Sequence, residues 1–311
     1  MDPLSDILST LANQPLYFGG LRAGGAWALR FSPLDALKFN AVLHGACWLR
    51  VDGMDTPIRL QQGDCVLLSR GRRFVLASDL GLPVRDADDL YRDAVEGVAQ
   101  CGDGQDLQLL GSRFSFGEAA DLLLGSLPPA LVIRGDSEQA AVLHWALQRI
   151  ARELSSPSPG TAAMTQHLGH MMLVQALRIH LSQAPPECPG WLAALSEPRL
   201  APVMHAIHAH PARRWTVSEL SALAGTSRSS FALRFKQVCG LSPLEYVTRW
   251  RMHLASRWLR DGQLTISVIA ERLGYESDSA FSSAFKRTMK QTPTAYRARH
   301  SCGARHRLPS G

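Results

Sequence analysis

The spacing of apolar positions along the chain changes character twice. Over residues 14 to about 85, apolar side chains come in short runs at 39–43, 47–51, 58–60, 65–68 and 74–76. The pairs Asp52-Gly53, Gly63-Asp64 and Arg70-Gly71 separate them. Short apolar runs bounded by turn residues read as strands, and their close spacing predicts a small barrel or sandwich. Ahead of them, Leu4, Ile7, Leu8 and Leu11 place an amphipathic helix over residues 1–12. Residues 86–112 read as an exposed Asp- and Gly-rich connection. It returns to a strand at 107–110, with one more at 114–116 and a Pro-containing break at 126–129. From 138 the period becomes helical. Leu143, Leu147, Ile150 and Leu154 form one stripe over 138–154, whereas 161–181 is apolar nearly all round. A helix apolar on several faces needs cover on several sides. The barrel or a second copy of the chain could supply it, and both remain open.

The last third carries the most specific pattern. A short amphipathic helix with Val217, Leu220 and Leu223 inward ends at Gly225 and Thr226. Ser227 can cap the next helix, in which Phe231 and Phe235 are four apart and share a face. Its opposite face holds Ser229, Ala232, Leu233 and Lys236. Helix, Gly-containing turn and capped helix make a helix-turn-helix pattern. The pattern recurs 50 residues on: Leu223, Ser227, Phe231, Phe235, Lys236, Pro243 and Tyr246 return as Leu273, Ser277, Phe281, Phe285, Lys286, Pro293 and Tyr296. A repeat of this kind predicts two like units. One helix from Ser242 to about 259 joins them, with Leu244, Val247, Met252, Ala255 and Leu259 as its apolar stripe. At 1.5 Å per residue it spans roughly 27 Å, against about 34 Å between successive major-groove faces of a duplex.

These residues resemble the DNA-binding domain of the AraC/XylS family of transcription regulators. The likeness covers roughly residues 200–299. It rests on Ser227-x-x-x-Phe231-x-x-x-Phe235, Gly240-Leu-Ser-Pro243-x-x-Tyr246, Trp250-Arg-Met252, Gly274-Tyr-Glu-Ser277, Phe281-x-x-x-Phe285-Lys286 and Thr292-Pro293-x-x-Tyr296-Arg297. The resemblance implies that Ser229, Ala232, Leu233, Ser279, Ser282 and Ser283 face base edges of double-stranded DNA. Ser227, Arg228, Lys236, Ser277, Lys286 and Arg287 would then meet phosphates. Family members more often carry a long polar or basic side chain at the places of Leu233 and Ser283. Without one, bidentate reading of guanine is lost there, and thymine methyls or groove shape carry more of the specificity. RNA polymerase is a further partner that the resemblance implies.

The strand region resembles the cupin barrel that precedes this DNA-binding domain in one branch of the family. Leu43-His-Gly45, Trp48 to Gly53, Gly63-Asp64 and Arg70-Gly71 carry the likeness. Metal-binding cupins place His where this chain has Asn40 and Phe74, and Pro where it has Ser69; His44 stands alone. No metal, cofactor or dioxygenase chemistry is therefore expected. A barrel of this size can hold one small ligand or be a filled scaffold.

Charge sharpens the division. Residues 197–311 hold 18 Lys and Arg against 7 Asp and Glu, while residues 1–196 hold 15 against 20. A basic C-terminal part suits a polyanion. The six cysteines are scattered without a close pair, the N-terminus is not a basic-then-apolar leader, and no apolar run approaches 20 residues. A reduced cytoplasmic setting and no membrane partner are expected. The His205, His208 and His210 group and the His167 and His170 pair lack the companions of a zinc site.

The expectation is thus an α+β chain of two domains. Residues 1–185 form a cupin-like sensing or dimerisation domain, with the barrel at about 14–116 and helices at about 138–181. A linker spans 186–197, a double helix-turn-helix domain 198–299, and a disordered tail 300–311. The function expected is a non-enzymatic, homodimeric, effector-controlled DNA-binding regulator. A cupin-like adaptor and a metal-independent cupin enzyme with a helical assembly domain are the competing readings.

Overall fold

A computed structural model describes residues 3–5, 16–34, 36–95, 97–115, 127–137, 140–183 and 190–305. The chain divides into two compact units. Of the described residues, one comprises 16–115 and 127–183, and the other 190–305 together with 3–5. Of the expected helix over 1–12 only residues 3–5 are described, and they are helical; of the expected linker over 186–197, residues 186–189 lie outside the described residues.

In the first unit the strands are β1 (Leu16–Ala23), β2 (Ala28–Phe31), β3 (Ala36–His44), β4 (Ala46–Val51), β5 (Ile58–Gln61), β6 (Cys65–Leu68), β7 (Phe74–Ala77), β8 (Arg85–Asp86), β9 (Val98–Cys101), β10 (Leu107–Ser115) and β11 (Ala130–Ile133). They form two sheets, ordered β11-β6-β3-β10-β1-β9 and β5-β4-β7-β2-β8. Apolar side chains from both sheets fill the space between, among them Leu21, Val42, Leu49, Val66, Phe74, Leu76 and Leu109. The cupin-like fold is thus built as two facing sheets with a packed interior. The two runs expected at 107–110 and 114–116 belong to the single strand β10, which pairs with both β1 and β3. The supposed loop over 86–112 contains helix α1 (Ala87–Arg92) and β9.

Turn chemistry explains several tight joins. Gly45, between β3 and β4, has φ 79°, and a Cβ there would lie 1.9 Å from the Asp106 carbonyl oxygen. Asp64, buried after the β5–β6 turn, accepts from the backbone N–H of Gln61 and Gly135 and pairs with Arg134 at 2.8 Å.

Two helices follow, α2 (Ala141–Ser155) and α3 (Thr161–Gln183). Leu143, Leu147 and Ile150 of α2 are buried as the stripe requires, but Leu154 is exposed. Buried Glu153 accepts from Arg149 at 2.5 Å and from the Thr161 hydroxyl at 2.8 Å, which joins the pair. His144 Nε2 lies 2.8 Å from the Gly63 carbonyl oxygen, tying α2 to the strands. A Cβ on Gly169 of α3 would sit 2.0 Å from Leu16 Cδ2, so α3 is seated on β1. Much of the apolar surface of α3 is thereby covered within the unit.

The second unit is helical: α4 (Trp191–Ser196), α5 (Ala201–Ala209), α6 (Val217–Leu223), α7 (Arg228–Cys239), α8 (Pro243–Asp261), α9 (Ile266–Arg272), α10 (Asp278–Met289) and α11 (Pro293–Arg305). Two boundaries differ from expectation. Helix α4 falls within the stretch assigned to the linker, yet Trp191 and Leu192 are buried. Helix α11 runs on to Arg305, past the point at 300 where disorder was expected.

Candidate nucleic-acid interface

Each half of the second unit is assembled from local signals. Thr216 caps α6 in a capping box. Its hydroxyl accepts from Glu219 N at 3.2 Å, and Glu219 Oε2 accepts from Thr216 N at 2.9 Å. Together these satisfy two N–H groups that the helix start would otherwise leave unpaired. Ser227 caps α7 through Ser230 N, Thr265 caps α9 through Val268 N, and Ser277 caps α10 through Ala280 N. Ser242 occupies the N-cap of α8 with extended backbone but makes no side-chain capping bond; Pro243 follows at the first helical position.

The repeat returns as packing geometry. The Phe231 and Phe235 rings are 5.6 Å apart at 58°, and Phe281 and Phe285 are 5.7 Å apart at 53°. Tyr246 meets Phe235 edge-on at 5.8 Å, as Tyr296 meets Phe285 at 5.5 Å. One correspondence shifts. The caps Thr216 and Thr265 and the turn glycines Gly225 and Gly274 are 49 apart, whereas the caps Ser227 and Ser277 are 50 apart. The second turn is therefore one residue longer, and buried Leu273 corresponds to Ala224. Leu223, expected inward, is 45% exposed. Leu244, also expected inward, is exposed near the start of α8.

With the Phe side chains inward, Ser229, Leu233 and Lys236 of α7 are exposed, and so are Ser279, Ser283, Lys286 and Arg287 of α10; Ala232 and Ser282 are half-buried. The caps Ser227 and Ser277 and Arg228 are exposed at the helix starts. Other arginines of the unit are committed to carboxylates: Arg213 to Glu219, Arg214 to Glu276, Arg234 to Glu197 and Arg249 to Glu245. Among the described residues no ion pair involves Arg228, Lys236, Lys286 or Arg287. The shared helix α8 has 19 residues, about 28 Å.

Sequence reasoning missed what fastens one half to the other. Half-buried Arg251 of α8 donates to the Pro211 and Arg213 carbonyl oxygens at 2.7 and 2.9 Å and lies 5.5 Å over the Tyr275 ring. Gly274 has φ 75°, and a Cβ there would lie 2.0 Å from the Ala212 carbonyl oxygen. The α5–α6 loop therefore rests directly on the second turn. Arg251 sits inside a motif visible in the sequence, but the carbonyls it holds lie 38 and 40 residues away. Of the three clustered histidines, His205 and His210 are exposed, while buried His208 hydrogen-bonds the Tyr246 hydroxyl at 2.8 Å and stacks on Trp250 at 3.9 Å.

Among the described residues, no three His, Cys, Asp or Glu side chains gather into a group that could hold a metal, and no helix is long and apolar enough to cross a membrane. Asn40 and Phe74 lie buried in their strands. Cys47, Cys65 and Cys101 are buried free thiols; burial pushes those of Cys47 and Cys65 up to about 12, which suppresses thiolate chemistry.

Two facing sheets followed by a duplicated, capped helix-turn-helix define a cupin-type domain joined to a DNA-binding domain, the build of a transcription regulator. The cupin family model matches residues 2–182, and the helix-turn-helix domain model matches residues 220–299. The chain is 45% identical to an AraC-like transcription regulator of Streptomyces lividans, over 96% of this chain and 98% of the relative. It is 30% identical to the HTH-type transcriptional regulator AlkR of Acinetobacter baylyi, over 96% and 99%. ToxT from Vibrio cholerae O395 is a structural neighbour at 14% identity and TM-score 0.35, covering 91% of this chain and 96% of its own. The chain belongs to the AraC-like transcription regulators.

Proposed function

We propose that both second helices of the duplicated motif enter major grooves of one duplex. Ser229, Ala232, Leu233, Ser279, Ser282 and Ser283 would face the bases. Arg228, Lys236, Lys286 and Arg287, with the capped helix starts at Ser227 and Ser277, would hold phosphates. The observation that carries this reading is the pairing of two like-packed, small-residue outward faces with cations that, among the described residues, no carboxylate engages. The N-terminal domain acts without catalysis, as a sensor for a small-molecule effector, in the cytoplasm. RNA polymerase is the protein partner that membership of the family suggests. The chain works as a homodimer through the helical pair, where Val142, Trp145 and Met164 remain exposed.

A gel-shift of the full chain at two salt concentrations tests the DNA reading. Phosphate contacts impose a slope close to the number of phosphates neutralised. The expected result is specific retardation that weakens steeply with salt; binding indifferent to salt, or none at low salt, would refute it.

A further inference from the structure

The inner face of the six-stranded sheet changes character along its strands. Leu21, Val42, Val66 and Leu109 belong to the buried core. Side chains two apart on a strand share a face. Moving two residues along β1, β3 and β10 therefore brings Gly19, Asn40 and Gly111 onto this face, and two more bring Tyr17, Lys38 and Arg113. The pairing aligns them: Gly111 lies opposite both Gly19 and Asn40, and Arg113 opposite both Tyr17 and Lys38. On the far side β6 presents Val66 against Asn40 and Leu68 against Lys38.

Folding alone leaves three features of this end unexplained. Asn40 is 5% exposed, and its Nδ2 has no hydrogen-bond partner. A buried amide N–H2 is ordinarily paired. Lys38 folds inward: a Cβ at Gly111 would lie 3.2 Å from Lys38 Nζ and 3.0 Å from Asn40 Oδ1. A lysine at a strand end ordinarily extends its ammonium into water. Arg113, its ladder partner, lies 5.4 Å over the Tyr17 ring. Among the described residues no ion pair involves Lys38 or Arg113. Two neighbouring cations and an unpaired amide donor converge beside a glycine, backed by Leu68 and Leu109, and among the described residues no carboxylate pairs with either cation.

We propose that this end of the inner face is the head-group site for a small organic carboxylate. Lys38 Nζ and Asn40 Nδ2 would donate to its oxygens, Arg113 would supply the second positive charge, and Gly111, without a side chain, lets the ends of Lys38 and Asn40 reach over β10. The inference rests on the effector-sensing role proposed above and names the chemical class of the effector. Burial, then the charge of Arg113, lowers Lys38 to about 8, so an arriving carboxylate meets a group that titrates near neutrality. Among the described residues, the other ionisable groups at this end are Arg113 and Tyr17 on the sheet and Tyr91 on α1. Tyr91 approaches Gly19 and is pushed up to about 12 by burial, so it stays neutral.

Titration calorimetry of the full chain with benzoate and hexanoate tests the site, with benzyl alcohol, hexylamine and inorganic phosphate as controls. Expected is binding of at least one carboxylate and none of the controls. Affinity should fall about tenfold from pH 7 to pH 9 as Lys38 deprotonates. Lys38→Met should abolish binding, Lys38→Arg should restore most of it, and Gly111→Val should block it, each in protein that keeps its circular dichroism and its DNA retardation. The proposal is overturned if neither carboxylate binds the folded chain at millimolar concentration, if the alcohol binds as well as the acid, or if folded Lys38→Met binds undiminished. Carboxylate binding that leaves DNA affinity unchanged would support the site and defeat effector control. Intact DNA binding without carboxylate binding would defeat the site and spare the regulator.

Discussion

Leu233 stands 62% exposed on a helix whose other large apolar side chains, Phe231, Phe235 and Val238, are buried. In the proposed docking its short neighbours would let the helix approach a groove closely, and an apolar side chain there would suit a thymine methyl. Leu233→Glu should therefore leave the melting temperature nearly unchanged, because surface substitutions seldom cost more than about 0.5 kcal/mol. It should abolish specific retardation, because in the proposed docking the new carboxylate would sit against the polyanion. Lys286→Ala should weaken binding to all sequences alike and reduce the salt slope by about 1. Melting curves and gel-shifts on the two variants check both; an unfolded Leu233→Glu protein would place that side chain in the core. Glu219 has a different signature. Hydrogen bonds from Arg213 first, then from Thr216, hold its carboxyl down at about 2. A depressed carboxyl stabilises fully above its ordinary value of 4.5 and loses that contribution as pH falls toward about 2. Glu219→Gln should flatten the fall of melting temperature across that window, which a pH series of thermal melts would read.

Among the elements, α4 belongs to the folded DNA-binding unit. Trp191 is 2% exposed, Gly190 N donates to the Val238 carbonyl oxygen, and Glu197 takes a two-pronged bond from Arg234. A fragment starting at 190 should melt well above one starting at 198. Removing a buried Trp from a core costs on the order of 3–5 kcal/mol. Calorimetry on the two fragments decides it, and equal melting temperatures would return α4 to the linker. The contact between the two halves is equally specific. Gly274→Ala places a Cβ against the Ala212 carbonyl oxygen at a positive φ. It should destabilise by about 1–3 kcal/mol or more and weaken binding to a two-half-site operator, because the α5–α6 loop must lift off the second turn. Denaturant titration and gel-shifts on one- and two-half-site duplexes measure both effects.

The whole molecule divides its charge as it divides its fold, with the basic excess confined to residues 197–311. Salt dependence of DNA binding should therefore reside in that unit. The exposed apolar side chains Val142, Trp145 and Met164 lie on the other one. If a dimer forms there, Trp145→Asp should convert it to monomer in light scattering after gel filtration. It should lower affinity for a paired operator more than for a single site; a variant that stays dimeric would move the interface elsewhere.

What the sequence determined by itself is what depends on neighbours three, four or two residues away. Phe231 with Phe235, Phe281 with Phe285, the capping Ser227 and Ser277, and the strands around residues 39–76 all lie in that range. Helix period, strand alternation and N-cap chemistry are local, so the residues state them. The outward faces followed as soon as the Phe pairs were placed inward. Only tertiary structure decided which strands pair, that β10 lies between β1 and β3, that α4 packs and that Leu273 takes the place of Ala224 rather than Leu223. Tertiary structure alone also joins Arg251 to the distant Pro211 carbonyl and sets Lys38 beside Arg113. Each of these links residues far apart in the chain, and the free energy that selects them comes from burial and pairing across that distance, which no short window of sequence contains.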